Sequence, residues 1–156
     1  MAHVTIEYVI LVPLLILQIF LFPFAASLIM NNWVDSRRTL ALQEVADHLG
    51  SIIQQTYSFL DNEIMAAGNV NKTLDVPRFI DGYAYTATGN ASDSNVLELT
   101  LEFKGVAISV TAAVTLGQNG VWQDSAFMSN STSACLRAEK YSNETIRLYF
   151  WDEAMG

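Results

Sequence analysis

From Tyr8 to Met30 the chain is apolar, with Gln18 and Ser27 its only polar members, and no charged residue occurs between Tyr8 and Val34. As a helix this run covers roughly 35 Å at 1.5 Å per residue, enough to cross a bilayer core. It is apolar on all sides, so it needs lipid or other apolar helices around it. Pro13 and Pro23 lie inside the run. Each removes a backbone donor, which predicts slight bends rather than breaks in a membrane or a bundle. After the polar-aromatic collar Asn31-Asn32-Trp33 the pattern becomes amphipathic, with Leu42, Val45, Leu49, Ile52, Ile53, Leu60 and Ile64 mostly three or four apart. Together these stretches predict one nearly continuous helix from Val4 to Met65, ended by Ala67-Gly68-Asn69.

The period then changes to two. Leu97, Leu99, Leu101 and Phe103 alternate with Glu98, Thr100, Glu102 and Lys104. Val106 to Leu116 alternates in the same way. Such alternation predicts half-buried antiparallel strands, here joined by a tight turn at Lys104-Gly105. Phe79 to Thr88 and Thr145 to Trp151 read as further strands, Asn119-Gly120 as a turn, and the Ser- and Asn-rich residues 125–143 as a loop. The predicted fold class is α+β: a long N-terminal hydrophobic helix followed by a C-terminal antiparallel β-rich head. The predicted division is a hydrophobic helix over 1–34 and a head over 35–156, in which helix 35–66 packs on a sheet formed by 78–156.

Composition sharpens this division. Of the 156 residues 51% are hydrophobic, and the mean hydropathy is +0.26. All 8 bases and 15 of the 16 acids follow Val34, so the head carries a net charge of −7. An acidic head repels nucleic acid and anionic lipid head groups, so no nucleic-acid partner is expected. Cys135 is the only cysteine, which excludes an intrachain disulfide and predicts a small buried residue, with an intermolecular bridge as the alternative. Four Asn-x-Ser/Thr sequons occur, at Asn71, Asn90, Asn130 and Asn143, all beyond the apolar run. They predict an exterior domain bearing N-linked glycans.

No constellation for catalysis or metal binding emerges. His3 and His48 are far apart, and neither has a Cys or paired acid at ligand spacing. There is no phosphate loop or nucleophile elbow. Asp61-Asn62-Glu63 and Asp152-Glu153 lack the spacing of a calcium loop and read as solvated helix and chain ends. No enzymatic activity, cofactor or metal is expected.

The remaining puzzle is Glu7, a lone acid at the mouth of the apolar run. A carboxylate there is costly unless paired or neutralised. The flanking charges add a second puzzle. No Lys or Arg precedes the run and Arg37-Arg38 follow it, which alone would place the head in the cytoplasm. The sequons and the acidity place it outside. Removal of a basic leader reconciles the two and predicts a mature N-terminus near His3, whose amine would pair with Glu7 of a neighbouring copy.

His3-Val4-Thr5-Ile6-Glu7-Tyr8-Val9-Ile10-Leu11 resembles the Gln-x-Ser-x-Glu-x-x-x-Leu motif of archaeal type IV pilins with class III signal peptides. Glu7 and Leu11 match it, while His3 stands in place of Gln and Thr5 in place of Ser. The resemblance covers about the first 65 residues. It implies cleavage by a prepilin peptidase, a membrane-inserted subunit before assembly, a pilus assembly machinery, and a homopolymer packed through N-terminal helices. It also implies assembly roles for His3, Glu7, Pro13 and Pro23. The expected function is a structural subunit of an extracellular, adhesive pilus filament. The rival expectations are a signal-anchored or minor-pilin-like surface protein that never polymerises, an archaellin, and, most distantly, a membrane-anchored enzyme.

Overall fold

The structure, a computed structural model, describes residues 2–62, 67–93 and 95–152. For residues 2–8, 10 and 93 it describes the backbone alone. The chain forms two compact units, residues 1–37 and 38–156.

A single α-helix, α1 (Ala2–Leu60), runs through the apolar stretch and on into the second unit, and its backbone is helical across both Pro13 and Pro23. Within the second unit its predicted stripe is the buried one. Leu42, Val45, Leu49, Ile52, Ile53 and Leu60 are all buried, joined by Ala46 and Tyr57. Exposed positions between them include Glu44, Asp47, Gln54 and Gln55, and also the apolar Phe59. Gly50 does not interrupt the helix. It lets the backbone approach β4 (Ser109–Thr115), since a Cβ there would stand 3.1 Å from Val114 Cγ2.

The helix ends sooner than the predicted Met65. Asp61 N donates to Tyr57 O at 2.9 Å, and the buried Lys140 ammonium donates to Asn62 O at 3.1 Å, holding a carbonyl just past the helix end. Gly68 and Asn69, expected to stop the helix, instead open the strand β1 (Gly68–Thr73). Residues 63–66, where the rest of the predicted terminus falls, lie outside the described residues.

Eight strands occur among the described residues, in two four-stranded sheets. With β1 and β4 they are β2 (Tyr85–Asp93), β3 (Val96–Phe103), β5 (Gly120–Trp122), β6 (Ser125–Met128), β7 (Cys135–Lys140) and β8 (Ile146–Trp151). The first sheet has the order β1-β7-β8-β5 and the second β4-β3-β2-β6. The layout is thus α+β and rich in antiparallel pairs. The exception is β5, which runs parallel to β8 over Gly120 to Trp122. The predicted turn at Asn119-Gly120 is present, with Gly120 N donating to Gly117 O at 3.0 Å, but it sends the chain into the other sheet rather than back along β4.

In the β3–β4 hairpin Leu97, Leu99, Leu101 and Phe103 face inward as predicted, but the connection is wider than the tight turn expected at Lys104-Gly105: Glu102 pairs with Ser109, β4 starts there rather than at Val106, and Gly105 sits in the turn at φ 91°. The strand expected from Phe79 begins only at Tyr85. Before it, Ile80 and Tyr83 form a bridge around Asp81 and Gly82, both at positive φ. Residues 125–143 are not one loop but contain β6 and β7. The inward residues of both sheets and the helix stripe form one hydrophobic cluster. Phe127 on β6 and Phe150 on β8 join the sheets edge to face at 4.9 Å.

Candidate assembly helix and head surface sites

The helix of the first unit is exposed along its apolar run among the described residues. From Val9 to Trp33 sixteen large hydrophobic side chains are exposed, among them Phe20 at 73% and Phe22 at 77%. Hiding one such side chain is worth roughly 1.5–3 kcal/mol, so a bare helix of this kind in water costs tens of kcal/mol. Length and composition alone make it able to cross a membrane. Pro13, Ile16, Leu17, Phe20, Leu21 and Phe24 form one ridge-and-hollow stripe at spacings of three and four. Pro13 therefore sits in an exposed apolar surface. Pro23 lies within the same exposed helix. At the far end the Arg37 guanidinium lies 5.4 Å from the Trp33 ring centroid. Glu7 and His3 stand on the helical backbone, and their side chains lie outside the described residues.

In the head the four sequon asparagines are all exposed. Asn71 is on β1, opposite Arg137 of β7, and Asn90 is on β2, opposite Glu98 of β3. Asn130 follows β6, and Asn143 is in the β7–β8 turn. That turn is tied by Tyr141 N to Thr145 O at 2.9 Å and by Thr145 N to Asn143 Oδ1 at 3.3 Å. Glu144, inside the sequon, has φ 67°.

Two features escaped the sequence reading. The first is Asp152, expected as a solvated chain end but buried, with 4% exposure. Its carboxylate accepts from Ser131 Oγ at 2.6 Å, Ser133 Oγ at 3.3 Å and Met128 N at 3.1 Å. It therefore pins the segment holding the Asn130 sequon against the end of β8. Burial is affordable because charge-assisted hydrogen bonds replace water. Asp61 is exposed, as expected of a helix end, and Glu63 and Glu153 lie outside the described residues.

The second is the outer face of β7 and β8. Here Tyr141 and Tyr149 donate to the Glu139 carboxylate at 2.8 and 3.0 Å. Arg137 lies 4.1 Å over the Trp151 ring and Arg147 lies 5.2 Å over Tyr141. The tyrosine hydrogen bonds, first from Tyr141 and then from Tyr149, hold the Glu139 carboxyl below its ordinary value, and the two arginines act in the same direction. The signal was present in the alternation of Leu136, Ala138 and Lys140 with Arg137 and Glu139, but a buried lysine at an inward position disguised it.

Cys135, expected to be buried, is half-buried between Thr73 and Trp151 in the strand register. His48 is exposed on α1, beside Glu44 in a groove with Pro77 and Ile80. Among the described residues no three His, Cys, Asp or Glu side chains are grouped to hold a metal ion. Comparison with protein-family models, with curated proteins and with solved structures yields no match.

Proposed function

We propose that this chain is the structural subunit of an extracellular archaeal type IV pilus, a filament built by packing N-terminal helices and serving adhesion. The observation that carries the reading is the continuity of α1: one helix is exposed and apolar from Leu11 to Met30, then presents a buried stripe from Leu42 to Leu60 inside the head. An anchor needs only the first part. A polymer uses both, since the helix that leaves lipid must carry a folded head with it. Before assembly the apolar run lies in the membrane. In the filament van der Waals packing between tails replaces contacts with lipid chains. The contact is heterologous, so the assembly does not close and grows as a helix. The acidic head faces outward, and N-linked glycans at the four sequons shield it.

Shearing cells and imaging the released material tests this reading. Long filaments made of this chain are expected. Retention of the chain in the membrane fraction, with no filaments, would establish the non-polymerising anchored protein instead. Loss of swimming rather than attachment on deletion would identify a motility filament.

A further inference from the structure

We propose that the outer face of β1, β7 and β8 is the seat of a carbohydrate chain attached to its own sequon at Asn71. This rests on reading the sequons as glycan sites.

The strand register brings acceptor and seat together. One row across the sheet is Asn71–Arg137–Tyr149, and the next is Thr73–Cys135–Trp151. The asparagine and the hydroxyl residue of the sequon thus stand on the same face as the Arg137–Trp151 stack. Directly opposed side chains on neighbouring strands lie about 4.5–5.5 Å apart at Cβ. A sugar ring on Asn71 Nδ2 therefore reaches over Arg137 and Cys135 toward Trp151. Attachment exchanges the lipid-phosphate group at the anomeric carbon of a lipid-linked sugar donor for Asn71 Nδ2, which gives up one proton.

The surface chemistry suits a sugar. Trp151, on β8, is 36% exposed, and Tyr141, just past the end of β7, is 38% exposed. Arg137 lies over the Trp151 ring, offering a flat cation-aromatic platform with donors for sugar hydroxyls. Cys135, small and half-buried, leaves a low floor between Thr73 and Trp151. The contrast with Asn90 is direct: that residue is exposed opposite Glu98, whose other neighbour across the sheet is Ala113, so no aromatic platform adjoins it there.

The free thiol of Cys135 supplies the readout. The full chain is purified from its own cells, sequon occupancy is measured by glycopeptide mass spectrometry, and Cys135 is alkylated with iodoacetamide under native conditions. Asn71→Gln is expected to speed alkylation roughly fivefold, equivalent to about 1 kcal/mol of cover, while Asn90→Gln leaves the rate unchanged. Equal rates with Asn71 occupied in the parent overturn the proposal alone. A bare Asn71 beside other occupied sequons also overturns it and leaves the glycan reading standing. Four bare sequons overturn both, and the filament reading is judged separately by shearing.

Discussion

Trp122 on β5 donates its indole Nε1–H to Gly89 O on β2 at 2.9 Å, so one hydrogen bond spans the two sheets. The approach needs glycine, because a Cβ on Gly89 would stand 2.6 Å from Trp122 Cζ2. Trp122 also meets Phe150 edge to face at 5.0 Å, which fixes the ring and leaves it no room to withdraw. Gly89→Ala should therefore destabilise the head by about 1–3 kcal/mol, the usual range for overpacking. Trp122→Phe should cost about 1–3 kcal/mol by leaving a buried carbonyl without its donor. Urea unfolding of the full chain in detergent, followed by tryptophan fluorescence for the glycine variant and by circular dichroism for both, measures each. An unchanged midpoint for Gly89→Ala would show that the sheets slide apart freely at this point.

Asp152 makes a second prediction, because it accepts hydrogen bonds from Met128, Ser131 and Ser133 of one short segment. Asp152→Ala leaves Met128 N and the serine hydroxyls to find water, at a cost of about 1–3 kcal/mol. The effect should be local as well as global. Faster amide exchange is expected across residues 128–133, with the β3–β4 hairpin protected as before. Uniform acceleration along the chain would mean that Asp152 holds no separate segment.

This acid marks a boundary of what the sequence made legible. The β3–β4 hairpin was readable because each strand is half-buried and each inward position is apolar, from Leu97 to Phe103. The helix stripe was readable for the same reason. In β1, by contrast, the burial pattern has Val70 as its only less exposed member, so the sequence Gly-Asn-Val-Asn-Lys-Thr carries no period. In β7 the ammonium of Lys140 is buried on the carbonyl of Asn62, a pairing 78 residues apart that no local pattern encodes. Asp152 followed by Glu153 looked like a solvated end because its serine partners lie about twenty residues upstream. Fold class was a matter of periodicity; polar contacts between distant segments were not.

Glu139 gives a pH dependence with a definite sign. Its folded-state pKa lies below the ordinary value of 4.5, chiefly through the Tyr141 and Tyr149 hydrogen bonds. Its stabilising contribution is thus complete above the unfolded value and is lost as pH falls through the lowered folded value. Glu139→Gln should be less stable than the parent at neutral pH, by roughly 0.2–1 kcal/mol for a largely solvated group. The two stabilities should converge below the usual carboxylate range. Denaturant midpoints between pH 7 and pH 3 follow this, and a gap that widens on acidification would contradict the assigned hydrogen bonds.

Glu7 carries the most consequential prediction, and it belongs to the filament reading. It is the sole charged side chain before Asp35, at the mouth of the apolar run. A carboxylate moved from a lipid edge into a bundle of tails is costly unless a cation meets it there. In the filament reading the expected partner is an amine near His3 on a neighbouring copy, displaced along the filament. Glu7→Gln preserves shape and removes charge, while Glu7→Ala removes both. Each should lower filament yield by tenfold or more, since an unpaired buried amine costs roughly 1.5–3 kcal/mol at every contact. The amount of chain held in the membrane, measured by immunoblot, should stay at the parental level, because a neutral side chain enters lipid more easily than an acid. Normal filament yield from Glu7→Gln would remove the ion pair from the assembly mechanism and leave apolar packing as its sole driving force.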